Sequence, residues 1–189
     1  GIPARIVGSV GFYDRMEVKD VLSYARAAVN RADDVSCQRV LNRPKRGIGL
    51  TSQERVAAFA AERSIAFADA LPHAADIVTP AAASRISDFV AFMNDLTEQS
   101  TSLSAAQFLK ALYDQTGYVD DLRKQRTSEA EDRLENLNEL LNAVVEWHET
   151  HEGTIAEFLD DAALLAGSDD MAVKAANKDD VPEESVTLM

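Results

Sequence analysis

The chain has 189 residues, of which 46% are hydrophobic and 27% charged. This is the composition of a folded globular protein and excludes disorder throughout. Lys and Arg total 19 against 32 Asp and Glu, a net charge of −13, and a single cysteine excludes an internal disulfide framework. Since no apolar run is long enough for a membrane helix or a signal segment, the sequence predicts a soluble, cytoplasmic protein that does not contact membranes.

Both ends of the chain predict short β-strands, over 2–10 and 186–189. An isolated strand cannot bury a face, so we expect the chain to be a piece of a larger protein. Residues 1–12 and 185–189 would then form strand edges of another part of that protein. Residues 167–184 are acidic, lack an apolar stripe and predict a linker.

The stretch 13–166 predicts a mainly α-helical bundle of seven or eight helices. Ser, Thr or Asp followed three residues later by Glu or Gln indicates a capping box at a helix start. Thr79-Pro80 predicts a further start, and Gly117 predicts a helix end. The capping-box pairs are Asp14/Glu17, Thr51/Glu54, Ser104/Gln107, Ser128/Glu131 and Thr154/Glu157.

Apolar residues at helical spacing predict the buried faces of these helices. The faces are Val56, Phe59 and Ala60; Phe89, Phe92, Met93 and Leu96; Phe108, Leu109 and Leu112; and Leu134, Leu137, Leu141, Val144, Val145 and His148.

Positive charge is concentrated in the first third of the chain. Residues 1–63 contain eleven basic and seven acidic side chains, whereas the remainder contains eight and 25. A chain this acidic attracts polyanions poorly at long range, but its basic third keeps a local nucleic-acid site possible.

The segment 42–52 has the pattern of a helix–hairpin–helix element that binds phosphate. A helix over 35–41 ends before Pro44, two glycines bracket one apolar residue, and a cap opens the next helix. Glycines let a ligand approach the main chain, and amides at a helix start form an anion site without sequence specificity. The same pattern also fits a plain interhelical turn with Ile48 in the core and solvated basic residues. The predicted DNA-binding residues are Lys45, Arg46, Gly47, Ile48, Gly49, Thr51 and Ser52.

Other candidate sites are weaker. His148 and His151 lack the spacing of a metal motif, and Cys37 is interpreted as structural. We expect no metal site and no catalytic residue. The sequence also contains no Gly-x-x-x-x-Gly-Lys-Ser/Thr nucleotide-binding loop.

Several segments occur in an order that resembles one protein family. They are Gly1-Ile2-Pro3-x-Arg5-Ile6-Val7-Gly8, Phe12-Tyr13-x-Arg15-x-Glu17-Val18-Lys19-Asp20, Asn30 with Asp33-Asp34, Pro44-Lys45-Arg46-Gly47-Ile48-Gly49, Thr116-Gly117-Tyr118, Arg133-Leu134-Glu135-Asn136-Leu137 and Val186-Thr187-Leu188-Met189. This order resembles the 2B accessory subdomain of UvrD/PcrA/Rep-type superfamily 1 DNA helicases. Ala4, Ser9 and Arg31 depart from the family pattern.

The resemblance implies a helical 2B subdomain over 13–166, with 1–12 and 185–189 as strand edges of the second motor domain. It implies that the subdomain contacts double-stranded DNA at a fork or junction and also contacts its own motor domains. It implies an ATP-dependent 3′–5′ helicase of DNA repair or replication as the parent, with ATP and Mg in the motor domains, no cofactor in this chain and no activity of the chain alone. The alternative is a protein–protein docking module whose acidic helices, around 129–152, bind a repair or transcription partner.

Overall fold

The computed structural model describes residues 11–164, and the predicted terminal strands and acidic linker lie outside them except at residues 11 and 12. Within these residues the fold is mainly α, as predicted, and contains no strand. Residues 11 and 12 were expected in a strand edge, but they form a turn and the start of a 3-10 helix, Phe12–Asp14. Gly11 has a φ of 82°, a left-handed conformation that an extended strand does not adopt.

Within residues 11–164, nine α-helices have both ends defined. The described residues thus hold more helices than the seven or eight expected, because the segment between α3 and α6 folds into two four-residue helices joined by a 3-10 turn, Leu71–His73. A further helical stretch covers 155–164. The helices are α1 (Met16–Val29), α2 (Asp34–Val40), α3 (Leu50–Arg63), α4 (Phe67–Ala70), α5 (Ala74–Ile77), α6 (Pro80–Ser102), α7 (Ala105–Thr116), α8 (Tyr118–Gln125) and α9 (Ser128–His151).

Helix α1 is the centre of the bundle. Ten of its 14 residues are buried, and it packs against α2, α6, α7 and α9. Helices α3, α4 and α5 pack together near α2 and α6, whereas α8 packs on α7 and α9. Helix α2 lies on α1 and α4, while α3 lies on α4 and α5, so the two helices that flank the predicted hairpin share α4 as a neighbour. The helix–hairpin–helix geometry stays a prediction.

Two buried carboxylates on α1 tie the outer helices to it. Glu17 accepts a hydrogen bond from Asn136 Nδ2 of α9 at 2.6 Å, and Asp20 accepts from the Tyr118 hydroxyl of α8 at 2.8 Å. Arg39 Nε of α2 donates to Asp20 at 2.7 Å. A buried charge is tolerated only when it is paired or hydrogen-bonded, so this network fixes α2, α8 and α9 in register with α1. Burial raises the pKa of Tyr118, and the neighbouring Asp20 raises it further.

Several predicted helix boundaries are confirmed. Ser104 and Gln107 form the reciprocal capping box of α7. Thr79 Oγ1 accepts the Ala82 amide with proline at the first position of α6, and Gly117 ends α7 with a φ of 68°. At Thr154, the amide and the hydroxyl both donate to Glu157.

Three predicted caps are wrong: those at Asp14, Thr51 and Ser128. Helix α1 begins after Arg15 and α3 after Gly49, both without a side-chain cap, while Thr127 caps α9. The capping-box spacing is also the spacing of neighbours inside a helical turn, so the pattern alone does not fix where a helix begins.

The predicted apolar faces are buried or half-buried against one core. In α9 the buried face is rotated relative to the prediction, because Leu140, Ala143 and Trp147 are buried while Leu134, Leu141 and Val145 are only partly covered.

Candidate nucleic-acid interface

The loop 41–49, between α2 and α3, has an inner and an outer side. On the inner side, Asn42 Oδ1 accepts hydrogen bonds from the amides of Arg46 at 2.8 Å and Ile48 at 3.2 Å. The Ile48 side chain is fully buried. Asn42 thus closes the loop around an apolar residue, so the Ile48 amide faces a protein acceptor.

Arg46 also belongs to the inner side. Its Nη1 donates to the carbonyls of Val40 at 3.0 Å and Arg43 at 3.1 Å, and its Nη2 donates to the Tyr24 hydroxyl at 2.6 Å. The guanidinium lies 5.3 to 5.9 Å from three aromatic ring centroids, a cation–π distance, and the rings are those of Tyr24, Phe89 and Phe92. This geometry favours a role for Arg46 in holding the loop onto α1 and α6, rather than the predicted direct contact with DNA.

Tyr24 completes the inner side of the loop as a neutral phenol. Burial raises its pKa to about 12, although the positive charge of Arg46 acts in the opposite direction. Its hydroxyl donates to the Arg43 carbonyl while accepting from Arg46. The phenol therefore links the loop backbone to the Arg46 guanidinium.

The outer side presents backbone donors at the start of α3. Within the described chain, the amides of Gly49, Leu50 and Thr51 form no hydrogen bond, whereas the Ser52 amide bonds to the Gly49 carbonyl at 3.0 Å. Lys45, Gly47 and Thr51 are exposed, and Ser52 is half-buried. The first turn of α3 has no acidic residue. Unsatisfied amides at a helix start carry partial positive charge, so an anion can bind there.

The two glycines of the loop serve different purposes. Gly47 has a φ of 71°, which side chains rarely adopt. Gly49 has a φ of −67° and a ψ of 158°, which any residue can adopt. A Cβ built at Gly49 would meet no described atom within 4 Å. The backbone therefore requires glycine at 47, whereas glycine at 49 keeps the helix start uncovered.

The structure adds one cation that the sequence did not predict. Arg85 of α6 donates from Nη1 to the Gly47 carbonyl at 2.9 Å. In the described part of the chain, neither Arg85 nor Lys45 forms a salt bridge, whereas Arg43 Nη1 pairs with Asp20 at 3.2 Å. Arg85 is 38 residues from Gly47, and no local pattern marks the contact.

The weaker candidates of the sequence are His148, His151 and Cys37. His151 stacks on Trp147 with ring centroids 4.9 Å apart, and His148 is half-buried. Burial raises the pKa of the Cys37 thiol to about 12, so it is not a thiolate at neutral pH. Among residues 11–164, no three His, Cys, Asp or Glu side chains are grouped to hold a metal, and none of the helices is long and apolar enough to cross a membrane.

Comparison with known proteins identifies the family. Residues 1–182 match the UvrD-like helicase C-terminal domain. The chain belongs to this family. It is 35% identical to the ATP-dependent DNA helicase PcrA of Bacillus subtilis over 191 residues, which covers 100% of the chain and 26% of that protein.

Other relatives of this UvrD-like domain are also named as helicases. A probable DNA helicase II homolog of Rickettsia conorii is 34% identical, covering 87% of the chain and 25% of the relative. PcrA of Staphylococcus aureus strain Mu50 is 33% identical, covering 100% and 25%. The chain therefore spans about a quarter of the length of these relatives.

In the UvrD-like domain, segments that are distant in sequence meet at the α1 network. Asp20 contacts Arg39, Arg43 and Tyr118, so one carboxylate joins α2, the loop and the start of α8. The loop is thereby anchored to the central helix through Arg43 as well as through Arg46.

Proposed function

We propose that this UvrD-like domain is the 2B-type accessory part of an ATP-dependent 3′–5′ DNA helicase of repair or replication, and that it binds duplex DNA at a fork or junction. Relatives that the chain matches over its full length are named as ATP-dependent DNA helicases, and the chain spans about a quarter of them. The contact is made to the phosphate backbone by the outer side of the loop and the start of α3.

One observation carries the proposal: among residues 11–164, three amides without a hydrogen bond and a lysine without a salt bridge lie in one short segment. A phosphate at a helix start is stabilised by the amides and by the helix dipole. Gly49, Leu50 and Thr51 supply the amides, and Lys45 supplies a charge. Such contacts carry no sequence information, which suits a helicase that must act on any duplex.

The remaining predicted residues support this surface. Arg46 and Ile48 hold the loop from inside, Gly47 provides its backbone turn, and Ser52 closes the first turn of α3. The loop is therefore preorganised, which lowers the entropy cost of binding.

ATP and Mg act elsewhere in the parent protein under this proposal. The sequence has no Gly-x-x-x-x-Gly-Lys-Ser/Thr nucleotide-binding loop, and among residues 11–164 no three His, Cys, Asp or Glu side chains are grouped to hold a metal, so these residues do not fit either cofactor. The domain would contact its own motor domains, and its role would be to hold the duplex while they translocate.

A protein-docking role is the second candidate, and one observation favours it. Exposed carboxylates on α9 form no salt bridge within the described chain, whereas Glu129 is paired with Arg133. Such a row can bind a basic partner in repair or transcription. The unpaired carboxylates include Glu131, Asp132 and Glu135.

Fluorescence anisotropy with a labelled hairpin duplex, titrated at several low salt concentrations, tests the first proposal. We expect binding by the 189-residue chain that weakens with salt. Lys45→Ala should make the slope of log K against log salt less negative by about 0.9, the value for one phosphate contact.

The Glu131→Gln/Glu135→Gln variant is the control for the acidic face, and should bind duplex at least as well as the wild type. Absence of binding at the lowest salt, or a slope that Lys45→Ala leaves unchanged, would contradict the proposal and favour the docking role.

A further inference from the structure

Arg85 lies against the loop at its sharpest point. A Cβ built at Gly47 would sit 3.1 Å from both Cζ and Nη1 of Arg85. The guanidinium therefore packs over the Gly47 main chain, while its Nη1 donates to the Gly47 carbonyl at 2.9 Å. Gly47 thus allows both the left-handed turn and the close approach of a side chain from α6.

Most of the guanidinium remains available to a ligand. Of its five N–H donors, the structure engages one with the Gly47 carbonyl, and no carboxylate within the described chain pairs with the group. The side chain is exposed. Arg39 and Arg43 differ from it, because both form salt bridges to the buried carboxylate of Asp20.

The position of Arg85 connects it to the outer side of the loop. Its contact, Gly47, is two residues from Lys45 and two from Gly49. A planar guanidinium fork matches two oxygens of a phosphate. Because one edge of the guanidinium already bonds to the Gly47 carbonyl, the side chain loses less conformational entropy when it binds a phosphate.

We infer that Arg85 is a second phosphate-binding residue of this interface, which holds Gly47 with one edge and a duplex phosphate with the other. The inference rests on the proposed function and extends it to a residue outside the loop. The duplex would then be held by two elements, the loop with α3 and the body of α6, so that its backbone crosses between them.

A purely structural role for Arg85 makes a different prediction. If Arg85 only held the loop in shape, its removal would weaken binding without changing the number of phosphates contacted. The salt slope separates the two roles, because it counts the counterions released by phosphate contacts.

The test compares Arg85→Ala, Arg85→Lys and Lys124→Ala by anisotropy with the same hairpin duplex over a series of salt concentrations. Lys124 is the matched control, since it is exposed on α8 and forms no salt bridge in the described chain. Its substitution by alanine removes one positive charge, as Arg85→Ala does. We expect Arg85→Ala to make the slope less negative by about 0.9 and to weaken low-salt binding several-fold. Arg85→Lys should keep the slope and lose part of the affinity, and Lys124→Ala should match the wild type.

Combination with Lys45→Ala sharpens the test. The double variant should lose about 1.8 in slope, the value for two phosphates. An unchanged slope for Arg85→Ala, with a reduced slope for Lys45→Ala, would overturn the inference and leave the proposed function intact. Wild-type binding that does not depend on salt would overturn both. Circular dichroism of each variant confirms that it is folded before its binding is compared.

Discussion

Two long helices of this domain begin in opposite ways. Helix α9 begins after Thr127, whose hydroxyl accepts the Ala130 amide, and has Glu129 and Glu131 in its first turn. Helix α3 begins after Gly49, which offers no side-chain acceptor, and its first turn has no acidic residue. Amide donors at the start of α9 thus find an acceptor in the chain itself, at Thr127. The start of α3 leaves its amides without a protein acceptor in the described chain, as the proposed phosphate contact requires.

Two neighbouring cations of the loop differ in the same way, because one has protein partners and the other has none in the described chain. Arg46 donates to loop carbonyls and to Tyr24, whereas Lys45 is exposed and forms no salt bridge in the described chain. Two adjacent positive charges therefore have different surroundings, and of the two the proposed function assigns phosphate binding to Lys45 alone.

The largest expected effect separates these two cations by stability. Arg46→Ala removes the hydrogen bonds that the guanidinium donates to the Tyr24 hydroxyl and to the loop carbonyls, so we expect it to lower the free energy of unfolding by about 2–3 kcal/mol. Lys45→Ala should change it by less than about 0.5 kcal/mol, as at other exposed sites. Urea denaturation followed by circular dichroism measures both. Equal urea midpoints for the two variants would contradict the division of the loop into inner and outer sides.

The next effect concerns the capped helix. Thr127→Ala removes the hydroxyl that accepts the Ala130 amide, so it should cost about 1 kcal/mol of stability. Duplex affinity and its salt slope should stay at wild-type values. Weaker duplex binding by this variant would show that the start of α9 takes part in the interface.

The smallest expected effect on stability concerns the start of α3, which has no side-chain cap. Gly49→Ser supplies an acceptor for the α3 amides, so it should raise stability by a few tenths of a kcal/mol. It should weaken duplex binding, because the hydroxyl would compete with phosphate for the amides. Gly49→Ala is the matched control, which adds a side chain without an acceptor. Equal losses of binding in both variants would indicate a steric effect instead.

The sequence predicted the helical class and the long helices well, because their signals are local. Capping at Ser104 and Thr79 and the apolar faces of α6 and α7 depend on residues three or four apart, and the structure confirms them. Asp14, Thr51 and Ser128 failed as caps because the same spacing occurs within a helical turn.

The inner side of the loop could be predicted only in part. Burial of Ile48 agrees with the plain-turn alternative, while the open amides at Gly49 to Thr51 agree with the phosphate-binding alternative, so features of both are present. The aromatic rings around Arg46 come from α1 and α6, and Arg85 reaches Gly47 from α6. These contacts depend on how helices distant in sequence pack together, and the spacing of residues within one segment does not predict that packing.

The central claim is that the start of α3 binds phosphate through its backbone, and nitrogen-15 NMR tests it most directly. Amide shifts of the 189-residue chain are followed as a short hairpin duplex is added at low salt. We expect the largest changes at Gly49, Leu50 and Thr51, smaller ones elsewhere in the loop, and none at the start of α9. Changes centred on α9, or no change at the start of α3 in a chain that binds the duplex, would contradict this claim.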